Sequence, residues 1–179
     1  MAAPVILILL ALLSWVRIRE WKDNRSFFAA EAGYHPDSTA EHLNLTSTLI
    51  GRGEYDLAER TLAQAAKTPD IADRGNLAKK MFLHADMAVR RDGDLSTATQ
   101  YLEKALVLKP DGLGYVFGLA VVRALDNRLD QSMIILRKAH AAPWFDAHQK
   151  QSIREQVDLM REQYKNGPPA RKPRIDDGW

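Results

Sequence analysis

Five histidines, His35, His42, His84, His140 and His148, are the side chains best suited to holding a metal or moving protons, and their spacing does not favour either task. Two imidazoles share one helical face only when they stand three or four residues apart, and no His-x-x-x-His or His-Glu-x-x-His pair occurs. The glycine stretches "GRG" at Gly51 and "DGLG" at Asp111 lack the Lys-Ser/Thr that would cradle a nucleotide phosphate, and they read as turns. No Gly-x-Ser-x-Gly elbow is present to expose a nucleophilic serine. "RDGDL" and "DNRLD" are acidic but lack the oxygen ladder of a calcium loop. There are no cysteines, which removes thiolate catalysis, sulfur-ligated metals and disulfides together. "NLT" at Asn44 is formally a glycosylation acceptor, but it falls inside a predicted helix and is read as structural. The expectation is therefore no catalytic residues, no metal and no cofactor.

The elements that would position a binding site carry more information. The 179 residues suit one domain, or a membrane segment with a smaller soluble domain. A formal charge of +2, from 25 basic and 23 acidic residues mixed through the same segments, describes a solvated helical surface and no nucleic-acid footprint. Alanine and leucine abound and alternating β-branched runs are missing, so the predicted class is all-α.

Residues 2–16, "AAPVILILLALLSWV", are uncharged. A bilayer core needs about 20 apolar residues, so this block spans when Met1 and Ile18 join it and its flanks snorkel. Trp15 and Trp21 bracket its exit, and Arg17, Arg19, Lys22 and Arg25 follow, as at a headgroup layer. No basic n-region or small-x-small cleavage site marks it as a cleaved signal. The expectation is a transmembrane anchor over residues 1–20, touching lipid through residues 2–18. Charge asymmetry predicts a single-pass protein with its soluble part in the cytoplasm.

The remainder repeats itself. Superposing Gly93 on Gly53 aligns Leu95 with Tyr55, Ala98 with Ala58, Leu102 with Leu62 and Ala105 with Ala65. A third copy begins 34 residues after the second, with Asn127, Leu129, Ser132, Leu136 and Ala139 in the same places. Small residues recur where two helices must approach, large apolar ones where they interlock, and Gly or Asn where a left-handed turn is required. Each segment is preceded by a helix of about three turns: "EHLNLTSTLI", "MFLHADMAVR" and "YVFGLAVVRA".

A helix-turn-helix unit of this length and pattern resembles the tetratricopeptide repeat. The resemblance covers about three fifths of the chain, as repeats 39–72, 79–112 and 113–146. The second is the best formed, with Phe82, Ala98, Leu102, Ala105 and Pro110 at consensus places. It implies a right-handed superhelix of about three repeats. Asp86 departs from the pattern by putting a carboxylate where a small residue meets the next helix; the hairpin splays there or Asp86 pairs with Arg90. Six extra residues, 73–78, are expected to lengthen the first helix of repeat two. Residues 21–38 read as a juxtamembrane half-repeat helix. Residues 147–166 read as a capping helix, with Ile153, Val157 and Met160 on one face, and residues 167–179 as a disordered tail.

In such arrays the first helices line a concave groove. The resemblance places Leu43, Ser47 and Ile50, then Lys80, Leu83, Met87, Arg90 and Arg91, then Phe117 and Val121 on that surface, an apolar strip with a basic rim. It implies a membrane-anchored adaptor that grips a partner protein's peptide or helix and assembles a membrane complex. The order of membrane helix, "WVRIREWKDNRSFF" and first repeat is also similar to the junction in TPR-bearing membrane glycosyltransferases. That likeness gives the alternative, an accessory module of a glycosyltransferase or polysaccharide system, with the repeats periplasmic or lumenal.

Overall fold

The computed structural model describes residues 22–165. The expected anchor and tail lie outside them. Every regular element among the described residues is helical: α1 (Asn24–Tyr34), α2 (Thr39–Gly51), α3 (Tyr55–Ala65), a 3-10 turn (Pro69–Ala72), α4 (Arg74–Met87), a π-helical turn (Ala88–Asp92), α5 (Leu95–Leu108), α6 (Leu113–Leu125), α7 (Leu129–Ala141) and α8 (Ala147–Lys165). Among these residues no helix is long and apolar enough to cross a membrane. The chain divides into two compact units, one ending at Asn76 and the other beginning at Leu77.

In the first unit, α1 starts where the Asp23 carboxylate accepts the Ser26 backbone N–H at 2.9 Å. It packs on α2, and α2 pairs with α3 as a hairpin. Ala58 and Ala65 are fully buried and let the two backbones approach, while Leu43, Leu49 and Leu62 interlock between them. The turn is a Schellman motif: Gly53 N–H bonds Ile50 C=O at 3.0 Å and Glu54 N–H bonds Leu49 C=O at 2.9 Å, with Gly53 at φ 75°. Glu54 then receives Arg52 at 2.9 Å and Arg25 of α1 at 3.1 Å. The N-terminus of α2 lacks a side-chain bond from its own cap residue, Ser38. Asp70, from the 3-10 turn beyond α3, serves instead, accepting the Thr39 backbone N–H at 3.3 Å and the Thr39 hydroxyl.

The second unit repeats the hairpin twice. α6 and α7 are joined by the same Schellman geometry, Asn127 N–H to Ala124 C=O at 3.1 Å and Arg128 N–H to Arg123 C=O at 2.9 Å, with Asn127 at φ 58°. The α4–α5 turn differs by one residue. Gly93, at φ 67°, bonds Val89 C=O and Asp94 N–H reaches back to Ala88 C=O at 2.9 Å, because the last turn of α4 has widened to π. Asp94 then caps α5 through the Thr97 backbone N–H at 2.9 Å. α4 begins at Arg74, so most of residues 73–78 extend it at its N-terminus.

Two cores hold this unit. One gathers Ala85, Ala88, Ala98, Leu102, Leu119 and Val122 from α4, the π turn, α5 and α6. The other joins α6, α7 and α8 through Val116, Ala120, Leu136 and Phe145, and the buried face of α8 is Ile153, Val157 and Met160.

Candidate functional site: an apolar cleft between α4 and α6

α4 and α6 are the first helices of consecutive hairpins, and a cleft of about 310 Å³ opens between them. α4 and its π turn contribute Phe82, Ala85, Asp86, Val89 and Arg90; α6 contributes Gly118, Val121, Val122 and Leu125; Leu102 of α5 forms the floor. The residues are one to four apart on each helix, so each wall is a single helical face.

The walls are fixed from both ends. The Phe82 and Tyr115 rings lie 5.4 Å apart and tie α4 to the start of α6. Arg123 donates to Glu103 at 2.9 Å and ties the end of α6 to α5. Burial raises the Tyr115 phenol above its ordinary value, helped by the Asp111 carboxylate. Gly118 permits the close approach: a Cβ there would stand 3.0 Å from Leu102 Cδ2 and 3.3 Å from Phe82 Cε2.

Polarity is confined to the lip, where Arg90 Nε donates to Asp86 Oδ1 at 2.6 Å. Of the two arrangements open to Asp86, pairing with Arg90 is the one found. The pair leaves the cleft without net charge and its interior apolar. Val121 and Leu125 stand 39% and 55% exposed at the mouth.

Of the ten residues expected to line a groove, Arg90 and Val121 line this cleft. Leu83 and Met87 do not line it, and they stand 1% and 6% exposed. Leu43 and Ile50 are likewise buried in the first unit, whereas Ser47 is exposed. Phe117 packs against the α6–α7–α8 core. Lys80 is half-buried away from the cleft walls, and Arg91 is exposed beside Asp92 at 2.9 Å. The expected positions assume one consensus face for every first helix. On α4 the open face is instead that of Phe82, Ala85, Asp86 and Val89. The sequence did mark that face, since Asp86 was the clearest departure from the repeat pattern, a carboxylate in a position reserved for a small residue.

The histidines are used locally. His42 Nε2 lies 2.9 Å from Pro36 C=O, His84 stacks on Tyr101 with centroids 5.0 Å apart, and His140 meets Arg154. Among the described residues no three His, Asp or Glu side chains converge in a metal-binding group. No protein-family model and no curated protein matches the chain.

Proposed function

We propose that the chain is a membrane-anchored, TPR-like adaptor with three repeat hairpins, whose α4–α6 cleft receives an apolar segment of a partner protein. The observation that carries this reading is the cleft itself: an apolar trough between the first helices of two consecutive hairpins, open among the described residues and edged by Val121 and Leu125. In tetratricopeptide arrays these helices form the recognition surface. The left-handed residues Gly53, Gly93 and Asn127 support the repeat assignment, because a positive φ recurs between the two helices of each hairpin. An apolar trough of this width takes one or two large side chains of a docked helix or extended peptide, and the neutral Asp86–Arg90 lip supplies both donors and acceptors at its edge. No chemistry is assigned to it. Residues 2–18 would hold the adaptor at the membrane, where its partner resides.

Aspartate at Val121 or Leu125 tests the reading, since both side chains are surface-accessible and line the cleft. Proteins that co-purify with the full chain in mild detergent should be lost by tenfold or more with Val121→Asp, and retained with Ile134→Asp, which changes an equally exposed aliphatic residue on α7. Equal recovery with Val121→Asp and the unaltered chain would overturn the cleft as the binding surface. Recovery of the chain in the soluble fraction after membrane sedimentation would overturn the anchor.

A further inference from the structure

The last hairpin carries a second pocket whose chemistry is unlike that of the cleft. It measures about 480 Å³ and lies between α7 and α8, lined by His140, Arg154, Val157, Asp158 and Arg161. Val157 is part of the core and forms an apolar base. Above it, Arg154 Nε donates to His140 Nε2 at 2.9 Å, which makes the imidazole neutral and an acceptor. Burial, then the nearby charges of Arg154 and Lys150, push the His140 pKa down. Arg161 Nε is buried and has no hydrogen-bond partner among the described residues. Its Nη1 meets Asp158 only at 3.8 Å, and that carboxylate is 73% exposed, a loose pair at the rim.

We propose that this pocket binds a phosphate group, held by Arg154 and Arg161 with His140 as the third donor. Two arginines, Arg154 and Arg161, line the pocket against one carboxylate, Asp158. With His140 protonated the lining carries two positive charges in excess, which a phosphate dianion balances and a single carboxylate does not. Arginine forks suit phosphate oxygens geometrically, and the unsatisfied Arg161 Nε–H gains a partner that the described residues do not supply. A dianion beside His140 favours the imidazolium. Protonation of Nε2 breaks its acceptance from Arg154, so both Arg154 Nε–H and the new imidazolium N–H turn to the anion. The pocket thus links phosphate binding to proton uptake at His140. It stands on a different pair of helices from the cleft and does not depend on the adaptor reading.

The test is imidazole NMR on the full chain in discs of neutral lipid. Addition of millimolar inorganic phosphate, against chloride at equal ionic strength, should raise the His140 pKa by about one pH unit or more. Arg161→Gln and Arg154→Gln should each weaken the response at least tenfold while far-UV circular dichroism is unchanged. Arg128→Gln, in the α6–α7 turn beside Asp126, should not. A response to phosphatidic acid in the disc but not to inorganic phosphate assigns the same site to a lipid headgroup. No response to either, or equal affinity in Arg161→Gln, overturns the proposal.

Discussion

Asp86 and Arg90 form a 2.6 Å ion pair across one turn, and the helix that carries them changes from α to π between the two residues. The order, acid N-terminal to base, is the favourable one for an i, i+4 pair. Both side chains are partly exposed, at 27% and 56%, so the pair contributes little to stability. Asp86→Ala should therefore lower unfolding free energy by only about 0.2–0.5 kcal/mol, with the difference shrinking in high salt. Urea titrations at low and high ionic strength check this. A loss several times larger would mean that the pair holds the π turn in place.

The three left-handed turn residues should respond unequally to substitution. Gly53 and Gly93 sit at φ 75° and 67°, where a Cβ is strained, so Gly53→Ala and Gly93→Ala should each cost about 1–2 kcal/mol. Asn127→Gly should be close to neutral, because asparagine already tolerates φ 58° and glycine does so at no steric cost. Gly114→Ala, in the first turn of α6 with open space around its Cβ, should stabilise by about 0.5 kcal/mol. Chemical-denaturation midpoints of the four variants distinguish a conformational role for glycine from a packing one.

Those turns were readable in the sequence because a left-handed residue leaves a chemical trace, Gly or Asn, at a fixed distance from the small residues of the following helix. Ile153, Val157 and Met160 were readable for the same reason: one apolar face on a polar helix has one place to go. The π turn was not, since "AVRRD" contains nothing that distinguishes five residues per closure from four. Nor was the cap of α2, because Asp70 acts on a helix that begins 31 residues earlier. The pocket of His140, Arg154 and Arg161 escaped similarly, its members being scattered over two helices and individually ordinary. Leu83 and Met87 were assigned to an open surface from consensus places, whereas the α4 face that opens is set by which neighbours cover it, a tertiary fact.

Gly118 decides the depth of the cleft. Alanine gains helix propensity by about 1 kcal/mol, but its Cβ meets Leu102 at 3.0 Å and Phe82 at 3.3 Å. Leu102 is 2% exposed and gives way only into the cleft that it lines, so overpacking of about 1–3 kcal/mol outweighs the gain. Gly118→Ala should lower stability by about 1 kcal/mol and weaken partner recovery, since the new methyl group occupies the trough. A stabilised variant that still binds would show that the walls move apart freely.

The last hairpin should be the most sensitive to lost volume. Leu136 is fully buried in the core that α6, α7 and α8 share, and replacing it by alanine leaves a cavity there. Leu136→Ala should cost about 2–5 kcal/mol by urea unfolding. If the loss were under about 1 kcal/mol, the core shared by α6, α7 and α8 would be looser than the burial of Leu136 implies.

Acid should loosen the helix starts before the cores. Hydrogen bonds from the Thr97 hydroxyl first, and then from the Thr97 backbone N–H, hold Asp94 below its ordinary value. The Thr39 hydroxyl does the same for Asp70. A carboxyl whose folded pKa is depressed stabilises the fold fully above the unfolded aspartate value, about 3.9, and loses that contribution as pH falls through the folded value. Stability should thus be flat from about pH 7 to about pH 5 on account of these groups and decline below about pH 4. Asn is nearly as good an N-cap as Asp but does not titrate, so Asp94→Asn should match the unaltered chain near neutrality and lose less of its stability on acidification. Denaturation midpoints across that range give the comparison, and parallel acid curves for the two chains would remove Asp94 from the titrating set.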